Sequence, residues 1–325
     1  MKILVIQTAF IGDVVLATAL IESLALEHPA QLDVLVRKGN ESLFENNPHV
    51  NEVLIWNKKE GKFKNLFALL KRIRKEKYDA VINLQRFASS GILTAFSKAK
   101  NKVGYAQNPL SFLFTRRVVF STSSGKHEIE RNFELAAPFV KQLCKPKLYP
   151  SVWQFEKVSA FKTSPYITVS PKSVWFTKQW PKELFVRLCQ ELSATHVIYF
   201  LGAKSDSNYC AEIAHGLATD RFKNLCGELS FLESAALMRD AKMNFVNDSA
   251  PMHFASAMNA PTTALYCSTL PSFGFGPLAD GARVIENEEQ LACRPCGLHG
   301  LKACPKGHFK CGQISNEQWN RLLQP

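Results

Sequence analysis

One rhythm constrains what this chain can fold into: short apolar runs alternate with helix-period segments, the alternation breaks once, and then it starts again. Ile3 to Ile6 reads as a buried strand, about Val14 to Glu27 as a helix, and Leu32 to Val36 and Val53 to Trp56 as further strands. Asn65 to Lys77 has helical spacing, Ala80 to Leu84 is a strand with another helix after it, Val118 to Phe120 is a late strand, and Glu128 to Leu143 is a strong helix. From Lys145 to Pro165 the periodicity fades and Pro146, Pro150 and Pro165 appear, which predicts a linker. Strands then recur at Tyr166 to Val169, His196 to Leu201, Met243 to Val246 and Thr262 to Tyr266. Between them, helices are predicted from Pro181 to about Leu192, Asp206 to Leu217, Phe231 to Ala241 and Pro251 to Met258. Strands joined by helices pair in parallel and are covered on both faces. The length of 325 residues accommodates two such units, expected over residues 1–150 and 160–325. Sheets of this kind bind ligands beyond the carboxyl ends of their strands, so the α/β fold expected is two Rossmann-like, doubly wound domains facing a cleft.

The formal net charge of +12 favours anionic partners: nucleic acid, phosphorylated small molecules or an anionic membrane face. It equally suits a basic surface that keeps the protein soluble. No recognisable DNA- or RNA-binding motif is present. Asp13 interrupts the apolar N-terminal stretch, no small-residue cleavage site follows it, and no apolar run is long enough to span a bilayer as a helix. The expected location is therefore the cytoplasm, at most on the inner face of a membrane. Of nine cysteines, Cys144, Cys189, Cys210, Cys226 and Cys267 lie in apolar or helical patterns, where a reduced thiol acts as a small hydrophobe.

Three motifs each follow a predicted strand. In TAFIGD, residues 8–13, Gly12 is expected to allow a tight turn and Asp13 to stand at the sheet edge. A carboxylate there can serve as general base toward a hydroxyl, or simply cap the helix. The motif lacks the glycines of a G-x-G-x-x-G loop, which argues against a nicotinamide dinucleotide enzyme. Ser170 to Pro181 reads SPKSVWFTKQWP, with hydroxyls, Lys172 and Lys178, and then a helix start. Backbone N–H groups and lysine charge suit a pyrophosphate, although a basic surface loop has the same composition. Asn247 to His253 reads NDSAPMH: a strand end, Ser249 as an expected N-cap, and Pro251 in the first helical turn. The amides at that helix start can hold anionic oxygens flanked by Asp248 and His253, or Asp248 and Ser249 can be capping residues alone.

These residues, with the opening MKILVIQTAFIGDVVLATALIESL, the segment VNDSAPMHFASAMNAPTTALY and the late CRPCGLHGLKACPKGHFKC, are similar in order to the bacterial heptosyltransferases of glycosyltransferase family 9. The resemblance implies a GT-B fold and an inverting transfer of heptose from ADP-L-glycero-D-manno-heptose to the inner core of lipopolysaccharide. It implies Asp13 as the base. It also implies Lys178, Ser173 and the neighbouring Val174 at the diphosphate, and Asp248, Ser249, Ala250 and His253 facing the donor. Asn208 or Asp206 would lie toward the ribose. No cofactor is required on this reading; the partners are the nucleotide sugar, a lipid-linked anionic saccharide and the anionic membrane face, not nucleic acid. Gln7 stands where family members commonly carry lysine, and Ala250 where many carry glycine, so a relative using another nucleotide sugar remains an alternative. A non-catalytic nucleotide- or lipid-binding protein is a third, against which Asp13 counts.

Two further features stay open at this stage. Cys293, Cys296, Cys304 and Cys311, with His299 and His308 interleaved, have a spacing compatible with structural zinc, with reduced thiols or with a disulfide. Lys58 to Lys77 is basic around Phe63, Leu66, Phe67, Leu69, Leu70 and Ile73, which suits either a domain helix with a solvated face or a helix lying on an anionic membrane. Gly12, Arg86, His127 and Arg131 are the expected acceptor contacts, with Lys102, Arg116 and Arg117 adding to the same positive field.

Overall fold

A computed structural model of the chain describes residues 1–27 and 31–324. The chain divides into two compact units, Met1–Tyr149 and Pro150–Pro325. The first contains, in chain order, β1 (Lys2–Ile6), α1 (Ile11–Glu27), β2 (Gln31–Arg37), β3 (Val50–Trp56), α2 (Lys62–Glu76), β4 (Ala80–Asn83), α3 (Ala88–Ala95), β5 (Asn101–Tyr105), β6 (Arg116–Val118) and α4 (Glu128–Ala136). Its strands form a parallel sheet in the order β3-β2-β1-β4-β5-β6. Ile3, Leu4, Val5 and Ile6 are fully buried, as expected of a central strand covered by helices on both faces. One such helix is α2, which buries Leu66, Leu69, Leu70 and Ile73 on a core that includes Leu4, Leu54 and Trp56.

The second unit contains α5 (Val152–Ser159), β7 (Tyr166–Ser170), α6 (Lys182–Leu192), β8 (Val197–Phe200), α7 (Ser207–His215), β9 (Phe222–Asn224), α8 (Phe231–Arg239), β10 (Asn244–Asn247), α9 (Ala250–Ala257), β11 (Thr262–Tyr266), β12 (Ala282–Glu286) and α10 (Asn316–Leu322). The strand order is β12-β11-β10-β7-β8-β9, again parallel throughout. In both units the order runs outward from the first strand to one edge, then restarts on its other side. The restart lies between β1 and β4 in one unit and between β7 and β10 in the other. At such a switch point neighbouring loops leave in opposite directions, which opens a crevice at the carboxyl ends of the strands.

The structure departs from several sequence expectations for local reasons. Helix α1 begins at Ile11, so Gly12 and Asp13 occupy its first turn and Gly12 has helical backbone, not a special turn conformation. Helix α4 stops at Ala136 instead of Leu143, because Pro138 cannot donate the amide hydrogen that would continue the ladder. The expected linker holds α5, whose capping box pairs Ser151 with Gln154 and which packs on α8. The late strand falls two residues early, at Arg116–Val118. The strands β5 and β9 carry too few apolar residues to signal themselves (NKVGY, FKN); they form because a parallel neighbour supplies hydrogen-bond partners. Ser249 sits at the N-cap of α9, yet its side chain makes no capping bond and instead donates to the Asn247 carbonyl at 3.3 Å.

At the amino-terminal edge of the first sheet, Asp33 is fully buried. Its carboxylate accepts from the Tyr78 hydroxyl at 2.6 Å and from Asn51 Nδ2 at 2.9 Å, and Lys2 Nζ lies 3.8 Å away. A buried carboxylate deprived of a donor keeps its desolvation penalty. Tyr78→Phe is therefore expected to lower stability by about 1 to 3 kcal/mol in urea unfolding; an unchanged midpoint would show that Asp33 does not need this bond.

Candidate active site

In the first unit the loops after β1 and β4 meet at the switch point. Gln7, fully buried, accepts a hydrogen bond from Gln85 Nε2 across this junction and another from the Ala9 amide at 3.3 Å. Asn40 Nδ2 donates to the Ala9 carbonyl at 3.2 Å. The loop is thereby held from both neighbouring strands, and it delivers Asp13 to the first turn of α1, half-buried. An ammonium also reaches this loop. Lys58 Nζ donates to the Thr8 carbonyl at 2.8 Å and to Thr8 Oγ1 at 3.1 Å, and lies over the Trp56 ring. Burial, and then the charges of Arg37 and Lys62, bring its pKa down to about 8.

Helix α4 packs on α1 and contributes the other polar groups. His127 is its N-cap: Nδ1 accepts from the Ile129 amide at 3.3 Å, while Glu130 accepts from the His127 amide at 2.6 Å. An accepting Nδ1 places the proton of the neutral ring on Nε2. Arg131 is only 2% exposed; its Nε donates to Glu128 at 2.9 Å and its Nη1 to the Lys126 carbonyl. Arg86 and Arg131 both approach the Phe120 ring, at 3.9 and 5.2 Å from its centroid. Glu128 is a strongly perturbed carboxyl of this group. Burial pushes its pKa up to about 7; Arg131 and Arg86 oppose the shift and the charge of Asp13 adds to it. Asp13, Arg86 and Arg131 thus share one electrostatic neighbourhood centred on Glu128.

In the second unit Asn247, at the end of β10, ties the switch point together. Its Oδ1 accepts from the Trp180 amide at 3.0 Å and its Nδ2 donates to the Pro171 carbonyl at 2.8 Å, so both ends of the loop after β7 are fastened to β10. This places Lys178 Nζ 2.8 Å from Asp248 Oδ2, with both side chains largely buried. Thr269, just beyond β11, donates to the same carboxylate oxygen at 2.6 Å. Immediately after Asp248 comes the N-terminus of α9, where Ser249 makes no side-chain cap, Ala250 opens the helix and His253 is buried. The result is an ammonium with two further N–H donors beside helix-terminal amides, an arrangement suited to a diphosphate.

Other expected residues are placed differently. Ser173 uses its carbonyl, which accepts from Gln179 Nε2 at 2.7 Å, and Val174 is 79% exposed. Lys172 lies over the Tyr209 ring at 4.4 Å, on the opposite task from Lys178. Asp206 caps the turn after β8 by accepting from the Ala203 amide at 2.9 Å, while Asn208 is exposed on α7. Cys293 Sγ lies 3.9 Å from His308 Nε2, but among the described residues no three His, Cys, Asp or Glu side chains are gathered into a group that could hold a metal. Thr269, Gln85 and the contact of Lys58 with Thr8 escaped the sequence reading. Thr269 had a usable signal, since it follows the predicted strand Thr262 to Tyr266, as Asp248 follows the predicted strand Met243 to Val246.

Comparison with known proteins sharpens the picture. The model of glycosyltransferase family 9 (heptosyltransferase) matches residues 66–299. Lipopolysaccharide heptosyltransferase 3 of Escherichia coli is 30% identical over 277 residues, covering 80% of this chain and 82% of that protein. Lipopolysaccharide heptosyltransferase 2 of Salmonella typhimurium is 26% identical over 306 residues, covering 88% of each. The solved structure of the E. coli ADP-heptose lps heptosyltransferase II aligns with a TM-score of 0.79 and 25% identity, over 99% of this chain and 98% of that one. The two doubly wound sheets accord with the GT-B class of those transferases.

The raised pKa of Glu128 fixes a pH dependence. A carboxyl whose folded pKa lies above its unfolded value stabilises the fold at low pH and loses that contribution as pH rises through the folded value. Between about pH 4.5 and 7 the native chain should therefore lose stability relative to Glu128→Gln. Parallel melting curves for the two proteins across that range would show this as a widening gap; parallel pH profiles would mean that Glu128 ionises normally.

Proposed function

The chain belongs to glycosyltransferase family 9 and is a glycosyltransferase, and from that premise we propose that it transfers heptose from ADP-L-glycero-D-manno-heptose to a hydroxyl of the lipopolysaccharide inner core, with inversion. The observation that most supports this reading is the Lys178–Asp248 pair at 2.8 Å, set at the switch point of the second sheet beside the side-chain-uncapped start of α9. The second unit would hold the donor, through Lys178, the Ser173 and Val174 loop, Asp248, Ser249, Ala250 and His253, with Asn208 toward the ribose. The first unit would hold the acceptor, through Gly12, Arg86, His127 and Arg131.

In the proposed reaction the acceptor oxygen attacks the anomeric carbon from the face opposite the diphosphate. Asp13 takes the hydroxyl proton, the new glycosidic C–O bond forms as the bond to the β-phosphate oxygen breaks, and the electron pair leaves on ADP. Lys178 and the amides of α9 meet the charge that grows on the departing phosphate, so no metal is needed in this scheme. Asp248 would otherwise repel the diphosphate. The Lys178 ammonium and the Thr269 hydroxyl balance its charge while leaving two ammonium hydrogens for the phosphates. On the first unit, the buried Glu128–Arg131 pair would hold Arg131 in place, with His127 at the N-cap of the same helix.

The proposal includes attachment to an anionic membrane surface through α2. Among the described residues no helix is long and apolar enough to cross a membrane. Helix α2, however, exposes Phe63 and Phe67, 69% and 62% accessible and one turn apart, on a segment that also carries Lys62, Lys64, Lys71, Arg74 and Lys75. Aromatic rings flanked by lysine and arginine are suited to the boundary between headgroups and acyl chains.

Two measurements test these readings. ADP should raise the melting temperature more than UDP or GDP, in both the native protein and Asp13→Asn, whereas transfer by Asp13→Asn should fall by about a hundredfold or more. Normal turnover by that variant would remove Asp13 as the base, and a preference for UDP or GDP would replace the donor. Sedimentation with phosphatidylglycerol vesicles should be lost in the double variant Phe63→Ser, Phe67→Ser and be absent with phosphatidylcholine alone; binding that survives both changes would exclude α2 as the contact.

A further inference from the structure

The cysteine-bearing segment from Cys293 to Cys311 has no part in the proposed chemistry, yet it is built against the loop that carries Lys178. Thr177, 1% exposed, is held on all sides. Its amide donates to the Leu301 carbonyl at 3.1 Å, and its hydroxyl oxygen accepts from the Leu301 amide at 2.8 Å and from Ser268 Oγ at 2.9 Å. The Ser268 amide donates to the Thr177 carbonyl at 3.2 Å, and the Cys296 amide to the Ser268 carbonyl at 2.9 Å. Phe176 packs on Phe309, with ring centroids 5.3 Å apart. Arg294 donates to the Thr269 carbonyl at 2.8 Å, next to the hydroxyl that contacts Asp248.

Gly300 shows how close this packing is. Its φ is +76°, and a Cβ there would lie 2.9 Å from Lys178 Cγ, 3.1 Å from Thr177 Oγ1 and 3.3 Å from Lys178 Cδ. Two of these three are atoms of the lysine stem, so a methyl group there would displace the stem that carries the ammonium. Gly297 has nearly the same φ, +75°, but a Cβ on it would meet nothing within 4 Å.

We propose that Gly300 and Leu301 form a backstop that positions the Lys178 ammonium for the donor diphosphate, with Gly300 and Thr177 as the positioning residues. This rests on the reading of Lys178 as a diphosphate ligand. Lys178 is a long, flexible side chain on a short loop. Its stem lies against Gly300 on one side, its head is tied to Asp248 on the other, and the preceding residue is immobilised by two backbone and two hydroxyl hydrogen bonds. Fixing the head in advance removes ordering that donor binding would otherwise require.

The two glycines supply a matched test. Gly300→Ala and Gly297→Ala impose the same kind of backbone strain, but only the first displaces Lys178. ADP affinity by calorimetry and the donor KM and kcat would be measured on the full chain for both, and for Thr177→Val, Thr177→Ser and Lys178→Ala. Thr177→Val keeps the shape and loses the hydroxyl, and Thr177→Ser restores it. The expected result is ADP binding weakened about tenfold or more in Lys178→Ala, and severalfold, with a matching rise in donor KM, in Gly300→Ala and Thr177→Val. Gly297→Ala and Thr177→Ser should bind ADP like the native protein. If Lys178→Ala weakens binding while Gly300→Ala matches Gly297→Ala and Thr177→Val matches Thr177→Ser, the backstop is overturned and the diphosphate assignment stands. Unchanged ADP affinity in Lys178→Ala would overturn the assignment itself. Should Gly300→Ala fail to fold, the valine and serine variants decide the question alone.

Discussion

A parallel strand cannot turn straight back onto its neighbour. Each connection must cross over the sheet, and where the strand order reverses, two successive crossovers leave toward opposite sides. The loops that carry Asp13, Lys178 and Asp248 descend from that constraint. In the first sheet it separates the loops after β1 and β4, and the Gln7–Gln85 hydrogen bond spans the gap. In the second it separates the loops after β7 and β10, and Asn247 spans that gap with both ends of its amide. The two crevices are therefore laced by buried amide side chains, which are neutral and bond to loops whose positions they fix. The charged side chains, Asp13 in one unit and Lys178 with Asp248 in the other, stand next to these ties and are themselves less buried.

The electrostatic design differs between the two units. Around Asp248 the balance is local: one carboxylate, one ammonium and one hydroxyl within 2.8 Å. Around Asp13 it is distributed. Glu128 is driven toward its neutral form by burial, and Arg131 and Arg86 work in the other direction. A second anion close to Asp13 would repel the first, and the raised pKa of Glu128 lessens that repulsion. Lys58 is the mirror case, an ammonium at a loop whose burial and basic neighbours weaken its hold on the proton.

Much of this was legible in the sequence, for a physical reason. Central strands such as Ile3 to Ile6 and Thr262 to Tyr266 are buried on both faces, so their composition alone announces them. The rule that ligands gather at carboxyl ends of strands then led to the loops holding Asp13, Lys178 and Asp248. What escaped depended on partners distant along the chain. The edge strand Phe222–Asn224 exists because β8 offers it hydrogen bonds, and Asp206, a plausible ribose contact by position, turned out to cap its own loop. Gly12 was read as a turn former because helix α1 starts earlier than its apolar pattern suggests. The burial of Glu128 could not be inferred from a helix N-terminus, where acidic residues are ordinarily solvated.

The final helix, α10, has one more consequence. Trp319 stacks on Trp180 at 6.0 Å and donates to the Glu191 carboxylate, and Leu322 is fully buried in the same core. Trp180 directly follows the loop of Lys178, so the innermost packing of the second unit joins its beginning to its last helix. On the ribosome the two halves then mature on different schedules. The first has all its strands once residue 149 has emerged, whereas the second must wait for residues near 322 before its core can close. During synthesis the core beside the lysine loop therefore lacks its Trp319 side until this helix has emerged.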